Sequence, residues 1–273
     1  MVEPVSIYTQ LRDRIRADQP VGLCTVIDGP HVGAKLLITP DHIAQGSLGH
    51  PELDRIVARD SLAELEAGRS GVRHYGPHGQ TTPEDLIDTD TVSVFVESFA
   101  PPPQMWIFGA VDFTAALAKV AKVLGYRVTV CDAREVFATR RRFPMADEVL
   151  VSWPMPVFVE RGHQLGTRDA VCVLTHDPKF DVPAVLGALG TTVGYIGVMG
   201  SRKTHDKRME RLTEAGLTQP EQIDRLMSPI GLDIGARTPE ETAISICAEI
   251  IARRTRRDTP SLRDGVGAIH GMT

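Results

Sequence analysis

Apolar and polar residues follow two different periods between residues 103 and 258. Short apolar runs at 105–108 and 127–131 predict strands that are buried on both faces. Between them, apolar residues recur three and four positions apart from Asp112 onward, which predicts a helix. Its predicted inner face consists of Phe113, Ala116, Leu117, Val120, Val123 and Leu124. Glycine marks the change of period at Gly109 and the helix end at Gly125.

The same alternation continues toward the C-terminus. Further strands are predicted at 148–151, 170–175 and 193–199, and further helices at 182–189, 203–215 and 220–227. Thr238, Pro239 and Glu241 form a capping box that begins a last helix. Strands alternating with helices predict an α/β fold, a Rossmann-like doubly wound parallel sheet, in which ligands bind at the carboxyl ends of the strands.

The N-terminal part predicts a smaller α+β domain. Its first helix covers residues 5–16, with Tyr8, Leu11 and Ile15 facing inward. The other predicted elements are a hairpin of strands 21–27 and 34–39 with His31 at its tip, a glycine-broken loop at 45–51, a helix at 52–67 and a strand at 91–99.

A stiff run, Ala100-Pro101-Pro102-Pro103, follows this part and fits a domain boundary. We therefore predict an N-terminal domain of residues 1–102 and a Rossmann-like domain of residues 103–258. The glycine-rich residues 259–273 are predicted to form a flexible tail.

Composition and charge narrow the function. The chain has 273 residues, is 42% hydrophobic and 24% charged, and carries a net charge of −5, which argues against a nucleic-acid partner. We find no signal peptide and no apolar run of about 20 residues, so we expect a cytoplasmic protein without membrane contact. The four cysteines are far apart and lack zinc spacing, which predicts buried reduced thiols and no metal site.

The turn after the first strand lacks most of a dinucleotide-binding fingerprint. Gly109, Val111 and Thr114 occupy the three glycine positions, so only the first of them is glycine. Val111 obstructs a close approach to a pyrophosphate, and Asp112 would repel a phosphate or act as an ordinary helix N-cap. This turn argues against tight NAD(P) binding, although Asp132 lies 23 residues after Gly109, near the spacing of a ribose-binding acid.

Three further places are candidates for a binding site. Gly200-Ser201-Arg202-Lys203 ends a strand and opens a helix, which suits an anion, although a plain helix cap is the alternative. His176-Asp177 could relay a proton or cap a turn. The loop at 229–237 could bind a ligand or simply turn the chain. Four places, the Gly109 turn, Asp132, His176-Asp177 and Gly200–Lys203, converge on one edge of the predicted sheet, which strengthens the case for a binding site.

Several longer segments resemble the XdhC/CoxI family, the accessory proteins of xanthine dehydrogenase and related molybdenum hydroxylases. They cover roughly residues 105–254. These segments are LGYRVTVCDAR (124–134), RFPMADEV (142–149), VLTHD (173–177), YIGVMGSRK (195–203) and SPIGLDIGARTPEETAISICAEI (228–250), with shorter matches at 20–26, 33–37 and 46–49.

The resemblance implies a maturation factor that binds molybdenum cofactor, helps in fitting its sulfido ligand and assists its insertion. The implied partners are an apo molybdenum hydroxylase, such as xanthine or carbon monoxide dehydrogenase, and a cysteine desulfurase, and the family is often dimeric. The implied binding residues are Gly109, Ala110, Val111, Asp112, Asp132, Arg134, His176, Asp177, Gly200, Ser201, Arg202, Lys203, Gly231, Asp233 and Gly235. The cofactor's phosphate would lie at Gly200–Lys203 and its pterin near Asp132 and His176.

The sequence departs from the family at two places. The family commonly has Gly-x-Gly-His at the first turn, where this chain has Gly109-Ala110-Val111-Asp112. The family commonly has Gly-Gly-Cys after Gly-Ser in the N-terminal loop, where this chain has Leu48-Gly49-His50 and no cysteine. Cofactor binding is therefore a safer expectation than sulfur transfer, with His50 as a hypothetical contact on the metal side.

Three functions compete for this sequence. A molybdenum-cofactor chaperone follows from the anion site and the resemblance. An NAD(P)-dependent oxidoreductase needs a phosphate-binding first turn, which Val111 and Asp112 oppose. A docking or regulatory protein without a ligand would bind the hydroxylase but no pterin. No catalytic residue can be named, and whether the chain is an enzyme stays open.

Overall fold

A computed structural model of the chain describes residues 6–41, 44–76, 79–83, 86–88 and 90–264. The chain divides into two compact units, Met1–Pro101 and Pro102–Thr273, and each is taken by itself below.

The first unit is an antiparallel sheet with two helices. Its elements are α1 (Ile7–Arg16), β1 (Val21–Asp28), β2 (Lys35–Ile38), β3 (Ala44–Ser47), α2 (Pro51–Ala67), β4 (Gly71–Tyr75) and β5 (Val92–Phe99). In its described part the strand order is β3-β2-β1-β5-β4. Alternate residues of β1 and β5, such as Cys24, Val26, Val94 and Val96, point into a core that α2 covers with Leu53 and Val57.

Two expectations for this unit are wrong. Ile7 and Leu11 pack against the sheet, whereas Tyr8 is 70% exposed and Ile15 is 41% exposed, because the inner stripe of α1 starts one residue earlier than predicted. The predicted loop at 45–51 contains strand β3, which pairs with β2. His50 is the N-cap of α2, where its Nδ1 accepts the Glu52 N–H at 3.3 Å. The predicted helix start at Val5 lies outside the described residues.

The second unit has the predicted doubly wound sheet. Its elements are β6 (Gln104–Phe108), α3 (Asp112–Val123), β7 (Arg127–Asp132), β8 (Glu148–Val151), α4 (Pro154–Arg161), β9 (Ala170–Val173), α5 (Pro178–Leu189), β10 (Tyr195–Val198), α6 (Arg202–Glu214), α7 (Pro220–Ile223), β11 (Leu226–Met227) and α8 (Pro239–Thr255). In the described residues all six strands are parallel, in the order β8-β7-β6-β9-β10-β11. Numbered within the unit, this is the 3-2-1-4-5-6 order of dinucleotide-binding Rossmann folds.

Helices cover both faces of this sheet. Apolar residues of α3 and α8, including Leu117 and Ile246, pack on one face. Residues of α4, α5 and α6, including Phe158, Val185 and Leu212, pack on the other. Because both faces are covered, the strands are continuously apolar, which explains the short runs without alternation in the sequence. The capping box predicted at Thr238 and Glu241 is confirmed.

Other details of this unit differ from the prediction. Val123 is 85% exposed and Leu124, the C-cap of α3, is 37% exposed, so neither belongs to the buried face of the helix that was predicted to include them. Helix α4 was not predicted. The helix predicted at 220–227 ends at Ile223, and Leu226–Met227 instead pair with β10. Residues 265–273 of the predicted tail lie outside the described residues, and a single 3-10 turn covers Leu262–Asp264.

Candidate ligand-binding site

The candidate site lies where the chain reverses its winding, between the carboxyl ends of β6 and β9. The Leu174 N–H donates to Phe108 O at 2.8 Å and holds the two strand ends together. Gly109 follows with φ = 116°, and a Cβ on it would lie 2.4 Å from Thr175 Cγ2. Only glycine therefore allows the two loops to approach this closely. Ligands of open α/β sheets bind in this crevice.

The first turn lacks the side-chain features of a phosphate-binding loop. Val111 is the N-cap of α3 and makes no side-chain capping bond. Asp112 is the first helical residue, so the expectation that it caps the helix is wrong. Its side chain is 90% exposed and lies 3.3 Å from Arg142 Nη2. No side chain therefore caps the backbone N–H groups at the start of α3, and the exposed Asp112 carboxylate lies beside them.

Asp132 is the most heavily hydrogen-bonded of the predicted site residues. Its buried carboxylate accepts the Ala110 N–H at 2.7 Å and the Arg134 N–H at 2.9 Å. The Arg134 guanidinium adds a two-pronged contact, Nε to Oδ1 at 2.9 Å and Nη2 to Oδ2 at 2.8 Å. Burial raises the pKa of Asp132, but these hydrogen bonds outweigh it, and the pKa is lowered overall. Asp132 is therefore a carboxylate, and it fixes the first turn against β7.

One cavity lies beside the start of α6, and we call it the Gly200 cavity. Its volume is about 520 Å³, and it is lined by Phe113, His176, Met199, Gly200, Ser201, Thr204, Ile230 and Thr242. Ser201 caps α6 by accepting the Thr204 N–H at 3.2 Å. Arg202 and Lys203 follow at the exposed first turn of the helix. Hydroxyls, a helix N-terminus and two cations make this end of the crevice suited to an anion.

A second cavity lies beside Asp132, and we call it the Asp132 cavity. Its volume is about 370 Å³, and it is lined by Val111, Asp132, Ala133, Arg134, Trp153, Leu174, Thr175, His176, Asp177 and Phe180. Trp153 is 51% exposed, and its ring centroid lies 5.8 Å from that of Phe180. His176 lines both cavities, so the two are neighbours across one side chain.

The remaining predicted residues occupy different positions. Asp177 caps α5 by accepting the Lys179 N–H at 3.0 Å. Gly231 donates its N–H to Glu249 Oε2 at 2.9 Å, which ties the loop to α8 next to the Ile230 wall of the Gly200 cavity. Asp233 and Gly235 are exposed and line neither cavity.

A buried ion pair between α5 and α6, which the sequence analysis did not predict, holds together the loops that form the crevice. Arg208 of α6 is 3% exposed and contacts Asp181 of α5 at 3.4 Å. Arg208 also donates to Met199 O at 2.7 Å and to Ser228 Oγ at 3.2 Å, and Thr175 donates to Asp181. These bonds join the loops after β9, β10 and β11. The only signal in the sequence is an arginine on the inner side of a polar helix.

The cysteines cannot act as exposed nucleophiles. All four are buried and unpaired, as predicted. Burial raises the pKa of the Cys24 thiol to about 11 and those of Cys131 and Cys247 to about 12. Cys172 also has a pKa raised by burial. A thiol must ionise to attack or to bind a metal, so these groups are inert at neutral pH.

Strand order, helix placement and crevice define a Rossmann-type domain that follows an antiparallel α+β unit in the chain. Residues 105–250 match the model of the XdhC Rossmann domain, and residues 14–76 match that of the XdhC and CoxI family. The chain therefore belongs to the XdhC/CoxI family.

Two curated relatives are informative by name. A probable xanthine dehydrogenase subunit of Bacillus subtilis is 34% identical over 166 residues, which cover 61% of this chain and 47% of the relative. The molybdenum cofactor insertion chaperone PaoD of Escherichia coli is 26% identical over 203 residues, covering 73% and 56% of the two chains. The chain thus spans about half the length of these relatives.

A solved structure agrees with the fold. The crystal structure of a xanthine dehydrogenase from Bacillus halodurans is 22% identical, covers 93% of this chain and 97% of its own, and has a TM-score of 0.50. In addition, none of the helices in the described residues is long and apolar enough to cross a membrane.

Proposed function

We propose that this chain binds molybdenum cofactor in the crevice of its second unit and assists its insertion into a molybdenum hydroxylase. The observation that carries the proposal is the pair of cavities meeting at His176, one beside a helix N-terminus and the other beside a buried carboxylate and Trp153. A phosphate and a ring system, the two ends of a pterin cofactor, need such neighbouring environments. The names of the relatives point to the same cofactor and class of client.

The residues fit the organic part of the cofactor. A Cβ on Gly200 would lie 3.2 Å from Thr204 Cβ, so the glycine keeps a backbone cradle open at the α6 N-terminus. Ser201, Thr204 and Arg202 would hold the phosphate there, and Asp132 and His176 would contact the pterin. When bound, the cofactor supplies the molybdenum centre for the client's redox chemistry. The chain's own residues bind and orient it and shield one side from water.

The metal end of the cofactor has fewer partners. In the described parts of the chain, His, Cys, Asp and Glu form no group of three or more that could hold a metal ion. The buried cysteines offer no thiolate for sulfur transfer. We therefore propose delivery rather than sulfuration as the role of this chain. A homodimer and a cytoplasmic location belong to this proposal as further parts, whereas a cysteine desulfurase partner would belong only to a sulfuration role.

An NAD(P)-dependent oxidoreductase is the weaker alternative. Val111 stands where a pyrophosphate needs a glycine, and Asp112 leaves a negative charge beside it.

The test is to purify the protein from cells that make molybdenum cofactor and to measure released pterin by its oxidised fluorescence, with nicotinamide nucleotides assayed in the same extract. We expect near-stoichiometric molybdopterin in the unaltered protein. Arg202→Ala should lower affinity about tenfold or more, since a hydrogen bond to a charged group contributes about 1.5–3 kcal/mol. Lys207→Ala, exposed on the same helix, is the matched control.

Two results would count against the proposal. Absence of pterin even after free cofactor is added would favour a docking protein, and bound NAD(P) would favour the oxidoreductase. If Arg202→Ala and Lys207→Ala bind cofactor equally well, the phosphate lies elsewhere.

A further inference from the structure

We propose that the Asp132 carboxylate recognises the amino–amide edge of a 2-amino-4-oxo ring, and that Arg134 occupies this carboxylate until the ring arrives. This inference rests on the proposed function, because a pterin carries that edge. It adds the recognition element and the group that the ligand displaces. Guanine carries the same edge, so the experiment below distinguishes the two sources.

The first argument is the shape of the contact between Arg134 and Asp132. Two N–H groups of one planar guanidinium point at the two carboxylate oxygens, at 2.9 and 2.8 Å. A 2-amino-4-oxo ring presents the same arrangement, a ring N–H and an amino N–H side by side in one plane. Carboxylates bind such paired donors with two parallel hydrogen bonds. The edge of such a ring can therefore replace the Arg134 guanidinium, because both present two parallel N–H donors to the carboxylate.

The second argument is the environment of the carboxylate. Asp132 is 2% exposed, yet it lines a cavity of about 370 Å³. That cavity also carries the Trp153 and Phe180 rings, against which a flat heterocycle can pack. A carboxylate and two aromatic side chains in one cavity favour a planar ligand with hydrogen-bond donors on its rim.

The third argument is that Arg134 can leave Asp132 without losing all its partners. Its guanidinium lies 4.6 Å from the centre of the Phe137 ring, and its side chain is 54% exposed. Asp132 in turn keeps the Ala110 and Arg134 backbone N–H groups. A ligand can thus replace the Arg134 guanidinium while these two backbone hydrogen bonds still hold the first turn against Asp132.

The test compares pterin with lumazine, its counterpart with oxygen in place of the 2-amino group, by equilibrium dialysis against the full chain. We expect the unaltered protein to prefer pterin by about tenfold or more, the loss expected for one hydrogen bond to a charged group. Asp132→Asn should reduce this preference to within about twofold, because an amide offers one acceptor and one donor. Arg134→Met should keep the preference and bind pterin at least as tightly.

Two further measurements isolate the effect. Glu135→Gln, an exposed change beside Arg134, is the matched control and should bind like the unaltered protein. Guanosine, which like pterin lacks a phosphate, serves as the probe for a guanine ring. Should it bind more tightly than pterin and depend on Asp132, the pterin assignment is overturned in favour of a guanine nucleotide.

The outcomes separate this inference from the proposed function. If the protein purifies with molybdopterin but binds pterin and lumazine equally, the inference fails and the function stands. If it binds neither the cofactor nor pterin, both fail. Should Asp132→Asn not fold, the pterin–lumazine comparison in the unaltered protein and in Arg134→Met still decides, since equal binding of the two rings contradicts the proposal.

Discussion

Replacing Gly109 by alanine tests the close approach of the two loops at the centre of the crevice. The new Cβ would lie 2.4 Å from Thr175 Cγ2 and 3.2 Å from Thr175 N, at a residue with φ = 116°. An L-residue in such a backbone conformation costs about 1–3 kcal/mol. Forcing an extra carbon into a packed region costs about 1–3 kcal/mol more. We expect Gly109→Ala to lower the free energy of unfolding by about 2–6 kcal/mol, much of a typical domain's stability.

Gly125→Ala provides the matched control. Gly125 also has a positive φ, 80°, but no described atom lies within 4 Å of its added Cβ. It should therefore cost only the conformational part, about 1–2 kcal/mol. The assay is urea unfolding followed by tryptophan fluorescence, which reports on the second unit because Trp106 and Trp153 both lie there. Equal losses for the two variants would refute the steric reasoning.

A second change identifies the clashing atom. Thr175→Ser removes the Cγ2 methyl group but keeps the hydroxyl that donates to Asp181. Added to Gly109→Ala, it should recover part of the lost stability, although the contact with the Thr175 backbone remains. If Thr175→Ser in that background only destabilises further, the methyl group is not the obstacle, and the loop must have moved as a whole.

Three other predictions concern buried groups. Arg208→Met leaves Asp181 as an unpaired buried carboxyl and should cost about 3–5 kcal/mol in urea unfolding, whereas Arg211→Met, exposed on the same helix, should cost little. A disulfide reagent that colours on reaction should label the four buried thiols only after denaturant is added, and rapid labelling in buffer would contradict their raised pKa values. Because the pKa of Asp132 is lowered, its carboxylate stabilises the fold at pH values above 3.8, the ordinary pKa of an aspartate. The difference in unfolding free energy between the unaltered protein and Asp132→Asn should therefore shrink as the pH falls below 3.8. A difference that stays constant with pH would contradict this prediction.

The sequence predicted the second unit well because both faces of its sheet are covered. Uniformly apolar strands and amphipathic helices leave distinct periods, and every strand of the unit except the short β11 was found. Helix α4 was missed because Pro154 and Pro156 suggest a break. In the structure they lie in the first turn, where a proline costs nothing because the N–H has no helical partner.

Strand β3 was predicted as a loop because its sequence carries no local signal for a strand. Its sequence, Ala-Gln-Gly-Ser, has no apolar alternation, and Gly46 suggests a loop. The strand exists because β2 offers a free edge to which it bonds, and Gly46 is required there, since a Cβ would lie 2.3 Å from Lys35 O. Pairing with a distant neighbour leaves no local signal.

The position of the candidate site residues was also only partly predictable. Gly109, Asp132, His176 and Gly200 could be placed at one edge of the sheet because the ends of parallel strands meet there, and their role in binding stays a prediction. Trp153 and the Arg208–Asp181 pair were not found. Arg208 and Asp181 are 27 residues apart on different helices, so only the packing of α5 against α6 brings them together.

The proposed exchange at Asp132 has a consequence for the proposed delivery of the ligand to a client. Displacing Arg134 replaces two hydrogen bonds to a carboxylate by two others, each contributing about 1.5–3 kcal/mol, so the net gain at this contact is a small difference. The contact then selects the ring by its pattern of donors, while packing against Trp153 and the phosphate site provide most of the affinity. Release is helped because Arg134 can return to the carboxylate as the ring leaves, so no buried charge is left unpaired. On this reasoning Arg134→Met should slow ligand release relative to the unaltered protein, measured by dissociation of bound pterin into excess buffer. Faster release from Arg134→Met would mean that Arg134 holds the ligand directly.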